Sequence, residues 1–172
     1  MKIAWVLGTL LAAVVLQAAL ARYTVGGRWV FDLVLVGVVY CALQWGAAAG
    51  MAAGTLGGLF QDLLSGGLVG VGGFAKTLVG YATGVFGTQF VLAKPQVRAA
   101  IVAASTVVHR LTIVGMNALI DQWQGVPWTP LLVETLLNSM VALVVFHVTE
   151  MLPGVVERGR ASRRSSLSRR QW

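Results

Sequence analysis

A chain of 172 residues has the length of a single domain. With 57% of residues hydrophobic and 11% charged, a water-soluble fold of that size is excluded, because it cannot hide so much apolar surface. The formal charge of +7 points to nucleic acid only until it is located: Arg158, Arg160, Arg163, Arg164, Arg169 and Arg170 crowd the C-terminal end. The remainder is nearly neutral, and the surplus suits a tail beside an anionic membrane surface. In a bilayer the backbone must pair internally, as helices or a closed barrel, and long continuous apolar runs select helices.

The first run spans Ile3 to Ala21 behind Lys2. Its end, Ala19-Leu20-Ala21, has the form of a signal-peptidase site, but a cleavable core is usually shorter, so an uncleaved helix is expected. After a polar turn from Arg22 to Arg28, the apolar stretch from Trp29 to Leu59 would be about 46 Å long as one helix, against roughly 30 Å of hydrocarbon. It divides at Trp45-Gly46 into helix 2, from Val30, and a short glycine-rich helix 3 ending at Phe60. Residues 61–73, QDLLSGGLVGVGG, read as a turn-rich connection.

Helix 4 is expected from Phe74 to Leu92, with the KPQVR segment as a charged turn broken by proline. Helix 5 runs from Ala99 to Ile120. DQWQGVPWTP is an interfacial loop anchored by its tryptophans, and helix 6 runs from Leu131 to Met151. Pro153 and Gly154 should stop it, leaving residues 153–172 as a disordered or lipid-bound cytoplasmic tail behind a transmembrane domain of residues 1–152.

With both termini in the cytoplasm, Lys2, Lys94, Arg98 and the tail arginines lie inside, while Arg22 and Arg28 lie outside. A five-helix arrangement satisfies the same charge bias, so helix length decides for six. The expected fold is therefore an all-α polytopic membrane protein, a six-helix transmembrane bundle.

Small residues mark close helix packing. Gly46, Gly50, Gly54 and Gly58 recur at four-residue spacing in helix 3, as do Gly80 and Gly84 in helix 4, making smooth faces for a neighbouring helix of this chain or of a partner. Ionisable residues within apolar runs are costly and therefore informative. Asp32 begins helix 2, Lys76 begins helix 4, and His109 and Arg110 lie in the middle of helix 5. Asp62 and Lys76 flank the glycine-rich connection and are placed to neutralise each other. Thr106, Arg110, Asn117 and Asp121 share one side of helix 5, and Glu134 and Asn138 share one side of helix 6.

The expected use of this polar seam is structural, with Arg110 meeting Glu134 or Asp121 in the interior; a ligand pocket or proton path is the rival. His109, His147 and Cys41 lack ligand spacing, so no metal is expected. One cysteine excludes an intrachain disulfide. The glycine-rich stretch lacks the ending of a phosphate loop, no nucleic-acid partner is implied, and no nucleophile, base and orienting group combine into an enzyme site.

FDLVLVGVVYCALQWG, followed by GTLGGLFQDLLSGGLVGVGGFAKTLVGYATGVFG, resembles the bacterial rod shape-determining protein MreD family. An Asp-Leu opening helix 2, a GLxQDLLSG turn and a LVGYxxG helix carry the likeness. The matching positions are Asp32, Tyr40, Gln61, Asp62, Gly66, Gly80, Tyr81 and Gly84, expected to shape the bundle and its partner face. Phe31 stands where the family often has proline, and Gln44 and Trp45 where it often has a basic pair.

The resemblance implies a non-enzymatic, cofactor-free component of the cell-wall elongation complex in the bacterial inner membrane. It implies binding to MreC through that protein's transmembrane helix, and through MreC a link to MreB, RodA and a penicillin-binding transpeptidase that build lateral peptidoglycan. It also implies a fold similar to the substrate-binding subunit of energy-coupling-factor transporters, which leaves a small-solute or vitamin transporter subunit as the alternative function.

Overall fold

A computed structural model describes residues 2–20, 31–66, 68–89, 95–120 and 125–168, of which 2–5, 7, 20, 88, 89, 95 and 150–168 contribute backbone alone. Six helices follow in order: α1 Lys2–Leu20, α2 Leu33–Trp45, α3 Ala47–Ser65, α4 Val71–Gln89, α5 Pro95–Leu119 and α6 Trp128–Ser168. Among the described residues there is no strand.

Helix α2 is the axis. Its residues Leu33 to Val39, Cys41 and Ala42 are buried, because α1, α3, α4, α5 and α6 all pack against it. On one side Leu35, Val36 and Val39 meet Val79, Val102, Ala142 and Phe146. On the other, Val34, Val38 and Cys41 meet Val6, Leu10 and Ala53. Tyr40 belongs to both cores, with its ring 6.0 Å from Trp45 and 5.6 Å from Phe146.

The break between α2 and α3 is one residue, Gly46. Its φ of +88° lies where an L side chain is strained, and Gly57, well along α3, returns to Val34 at the start of α2. The chain therefore reverses at a single glycine. At its other end α3 closes on Gly66, left-handed at φ +67°, a common glycine C-cap.

The glycine stripe lies between α3 and α4. A methyl group added at Gly54 would come within 2.6 Å of the Thr77 backbone nitrogen, and one at Gly58 within 2.5 Å of Gly73 Cα. Gly50 faces Gly80, and Gly84 faces Ala47. These neighbours are backbone, which cannot move aside, so the stripe is occupied within the chain.

The exterior is apolar. Leu11, Phe60, Leu63, Leu132, Leu136 and Val144 are all exposed, as lipid permits and water does not. Gln96–Leu119 and Trp128–Thr149 are long and apolar enough to cross a membrane, while Gly8–Ala19 and Leu33–Trp45 are apolar but shorter.

Several expected boundaries shift. Helix α3 continues past Phe60 to Ser65, and α4 begins at Val71, so the glycine-rich connection contracts to residues 66–70. Pro95 opens α5 instead of standing in a turn, because the first helical position needs no N–H donor. Helix α6 does not stop at Pro153 and Gly154 but runs to Ser168. A helical proline forfeits one hydrogen bond and bends the helix without necessarily ending it, and the arginines beyond are good helix formers. The Arg22–Arg28 turn, Asp121, the end assigned to helix 4 at Leu92 and residues 169–172 lie outside the described residues.

Candidate functional site

The site is built on the first turn of α2. A helix start leaves backbone N–H groups without partners, and three side chains meet them here. Asp32 caps the helix, its Oδ1 accepting the Leu35 N–H at 2.9 Å. Gln17 of α1 accepts the Val34 N–H at 3.1 Å, and Asn138 of α6 accepts the Asp32 N–H at 2.8 Å. Asn138 in turn donates to Thr106 of α5 at 3.2 Å. Three helices, α1, α5 and α6, are thereby tied to the start of α2.

The second carboxylate oxygen of Asp32 meets Lys76 Nζ at 2.7 Å, and both side chains are buried. Lys76 also lies 3.1 Å from His109 Nε2. An ammonium has only protons to give, so this ring nitrogen accepts and the His109 proton sits on Nδ1. One residue further along α5, Arg110 donates through Nε and Nη2 to Oε2 of Glu134 on α6. The two ion pairs stand side by side inside the bundle.

Asp62 is used differently. Its Oδ2 accepts the N–H groups of Gly70 at 2.8 Å and Gly73 at 3.1 Å, so the carboxylate holds the start of α4 and favours the positive end of that helix. The expected pairing of Asp62 with Lys76 is therefore replaced by Asp32 with Lys76. Backbone donors lie next to Asp62 in the turn, whereas Lys76 points inward to the acid that caps α2.

These groups border a cavity of about 630 Å³. Its floor is Asp32, Lys76 and His109. Its rim is the α3–α4 turn at Ser65, Gly66 and Leu68, with Gln61 and Asn117 on the wall. The cavity thus opens where α3 ends and α4 and α6 begin.

Of the polar residues singled out in the sequence, the structure brings together Asp32, Lys76, Asn138, Arg110 and Glu134, with Gln61, Asp62 and Asn117 around the cavity. Tyr81 is half exposed on the outer face of α4 and stands apart. Gly46 forms the hinge, and Gly50, Gly54, Gly58, Gly80 and Gly84 line the α3–α4 contact. Two contributors were not singled out as site residues. Gln17 is one buried amide in a long apolar run, and His109 stood out as an ionisable residue in the middle of helix 5 but was assigned no partner.

His109 also revises the reason for expecting no metal. Spacing in sequence separates it from every other ligand, yet in space Asp32, His109 and Glu134 each offer an atom within 4.8 Å of the others. Lys76 and Arg110 already neutralise those carboxylates, occupying the positions from which a cation would be held. Cys41 is buried in the apolar core and His147 is exposed.

A chain helical throughout its described elements, with an apolar exterior, close glycine packing and paired charges between its helices, is a helical membrane protein. Residues 1–152 match the model of the family described as rod shape-determining protein MreD, and the chain belongs to that family of membrane proteins. Its role is accordingly in rod-shape determination, as a shape-determining component of the membrane. Neither the curated proteins nor the solved structures contain a match.

Proposed function

We propose that this chain is a non-enzymatic component of the cell-wall elongation complex of the bacterial inner membrane, binding the transmembrane helix of MreC. The observation that carries the reading is the family match over residues 1–152. In this reading all six helices span the membrane and both termini are cytoplasmic. Residues 153–172 form a basic cytoplasmic extension, and MreC links the chain to MreB, RodA and a penicillin-binding transpeptidase in lateral peptidoglycan synthesis.

The docking surface moves away from the glycine stripe, which α4 already fills. On the outward side of α3, Ala48, Ala52 and Thr55 are exposed at spacings of four and three residues, a small-residue face open to another helix. The test is co-purification of MreC from native membranes. The wild type should retain MreC, and Ala52→Trp should lose it while remaining folded. Retention by a folded Ala52→Trp variant sinks the surface, and absence of MreC from the wild type sinks the role.

The alternative, a small-solute or vitamin transporter subunit with a fold like the energy-coupling-factor binding subunits, is favoured by the polar cavity. It requires an ATPase in the same purification, which the elongation reading does not.

A further inference from the structure

We infer that Tyr81 is a specificity-determining contact for a transmembrane helix docked over the α3–α4 seam, and that the docked helix brings a hydrogen-bond acceptor to its hydroxyl. The inference rests on the proposed binding of the MreC helix and names the chemistry that helix must carry.

The seam has two unlike banks. Gly50 of α3 faces Gly80 of α4, so the next residues, Met51 and Tyr81, stand at one level on either bank, and both are exposed. Thr55 and Thr77 meet across the seam at 2.8 Å, also on an exposed side. Tyr81 follows Thr77 by four residues, which puts both on one side of α4. Thr55 in turn belongs to the small-residue face of Ala48 and Ala52. A helix lying over Thr55 therefore has small side chains on one flank and the Tyr81 ring on the other.

Depth makes this tyrosine informative. Helix α4 starts at Val71, so Tyr81 lies about 15 Å along it at 1.5 Å per residue. In the six-span reading that is halfway through roughly 30 Å of hydrocarbon. Tyrosine gathers at membrane interfaces, where the ring meets lipid and the hydroxyl meets water. Near the midplane there is no water, and a hydroxyl without a partner is costly. Tyr81 is 50% exposed there and makes no hydrogen bond among the described residues.

The neighbouring hydroxyls fix which half of the bond the partner supplies. Thr55 also reaches the Met51 carbonyl at 3.0 Å, and Thr77 the Gly73 carbonyl at 2.7 Å. Two threonine protons thus serve three contacts, and neither is left for an incoming helix. Tyr81 still has its phenolic proton to donate. The docked helix must then carry an acceptor side chain at this level, such as Asn, Gln, Ser or Thr, whereas a wholly aliphatic helix would leave the hydroxyl unanswered.

The test measures binding of MreC to the full chain by Förster transfer in phosphatidylcholine vesicles. Tyr81→Phe removes one oxygen from an exposed side chain, so the melting temperature of the chain should hold while MreC binding weakens roughly 3- to 30-fold. Leu136→Ala, on the exposed face of α6, should leave binding unchanged. Benzoylphenylalanine at position 81 should cross-link to MreC on illumination, and alanine at the captured MreC residue should weaken binding to the wild type but not to Tyr81→Phe. Wild-type binding retained in full by Tyr81→Phe, equal losses from Tyr81→Phe and Leu136→Ala, or no cross-link at position 81 overturns the inference and leaves MreC binding standing. Absence of MreC binding to the wild type overturns that reading and the inference with it.

Discussion

Truncating Lys76 leaves Asp32 buried without a counter-charge and His109 without its donor. Breaking a buried ion pair from one side costs about 3–5 kcal/mol, so Lys76→Met should lower stability by that order, read as loss of folded protein in detergent denaturation. Asp32→Asn combined with Lys76→Met removes both charges and should be less damaging than Lys76→Met alone. Equal damage from the single and double variants would show that the pair is not coupled.

Which charges matter was legible in the sequence, since Asp32, Lys76, Arg110 and Glu134 interrupt apolar runs. Who pairs with whom was legible only for Arg110. Asp62 and Lys76 are near in sequence, but the N–H groups of Gly70 and Gly73 take Asp62 first. Chain proximity carries no information about backbone donors created by a turn not yet placed.

The α3–α4 contact makes a second kind of prediction. Gly54→Leu inserts a side chain where even a methyl group meets backbone at Lys76 and Thr77. Overpacking that cannot relax typically costs about 1–3 kcal/mol, occasionally more, so this variant should fall out of the folded fraction in a thermal assay whether or not MreC is present. Gly115→Ala is the control. Nothing lies within 4 Å of its added Cβ, and in a helix interior the change should stabilise by about 0.5–1 kcal/mol.

Glycine is also why helix boundaries were harder to read than helix existence. Gly66 and Gly70 sit in the turn with positive φ, whereas Gly72 and Gly73 sit in α4 against Asp62 and Leu59. Composition cannot separate a glycine that turns the chain from one that lets two helices touch, so residues 61–73 read as one loop. The break at Gly46 was legible because it rests on length: one helix from Trp29 to Leu59 overshoots a bilayer.

The bundle as a whole places the cavity at the end opposite the N-terminus of α1. In the six-span reading that end faces the periplasm. Leu68→Cys should then react with a membrane-impermeant maleimide added to intact spheroplasts, and Ser168→Cys should react only after lysis. Cys41 is buried and contributes little background. Reaction of both before lysis, or of neither, would contradict the arrangement.

Membrane character was legible from composition, and the family from the Asp-Leu, GLxQDLLSG and LVGYxxG segments. The cavity was not, because it needs five helices to converge. The most direct test of the central claim is cell shape. In the source bacterium, depletion of this chain should convert rods to spheres, and re-expression should restore the rod. Cells that stay rod-shaped after verified depletion would contradict the account.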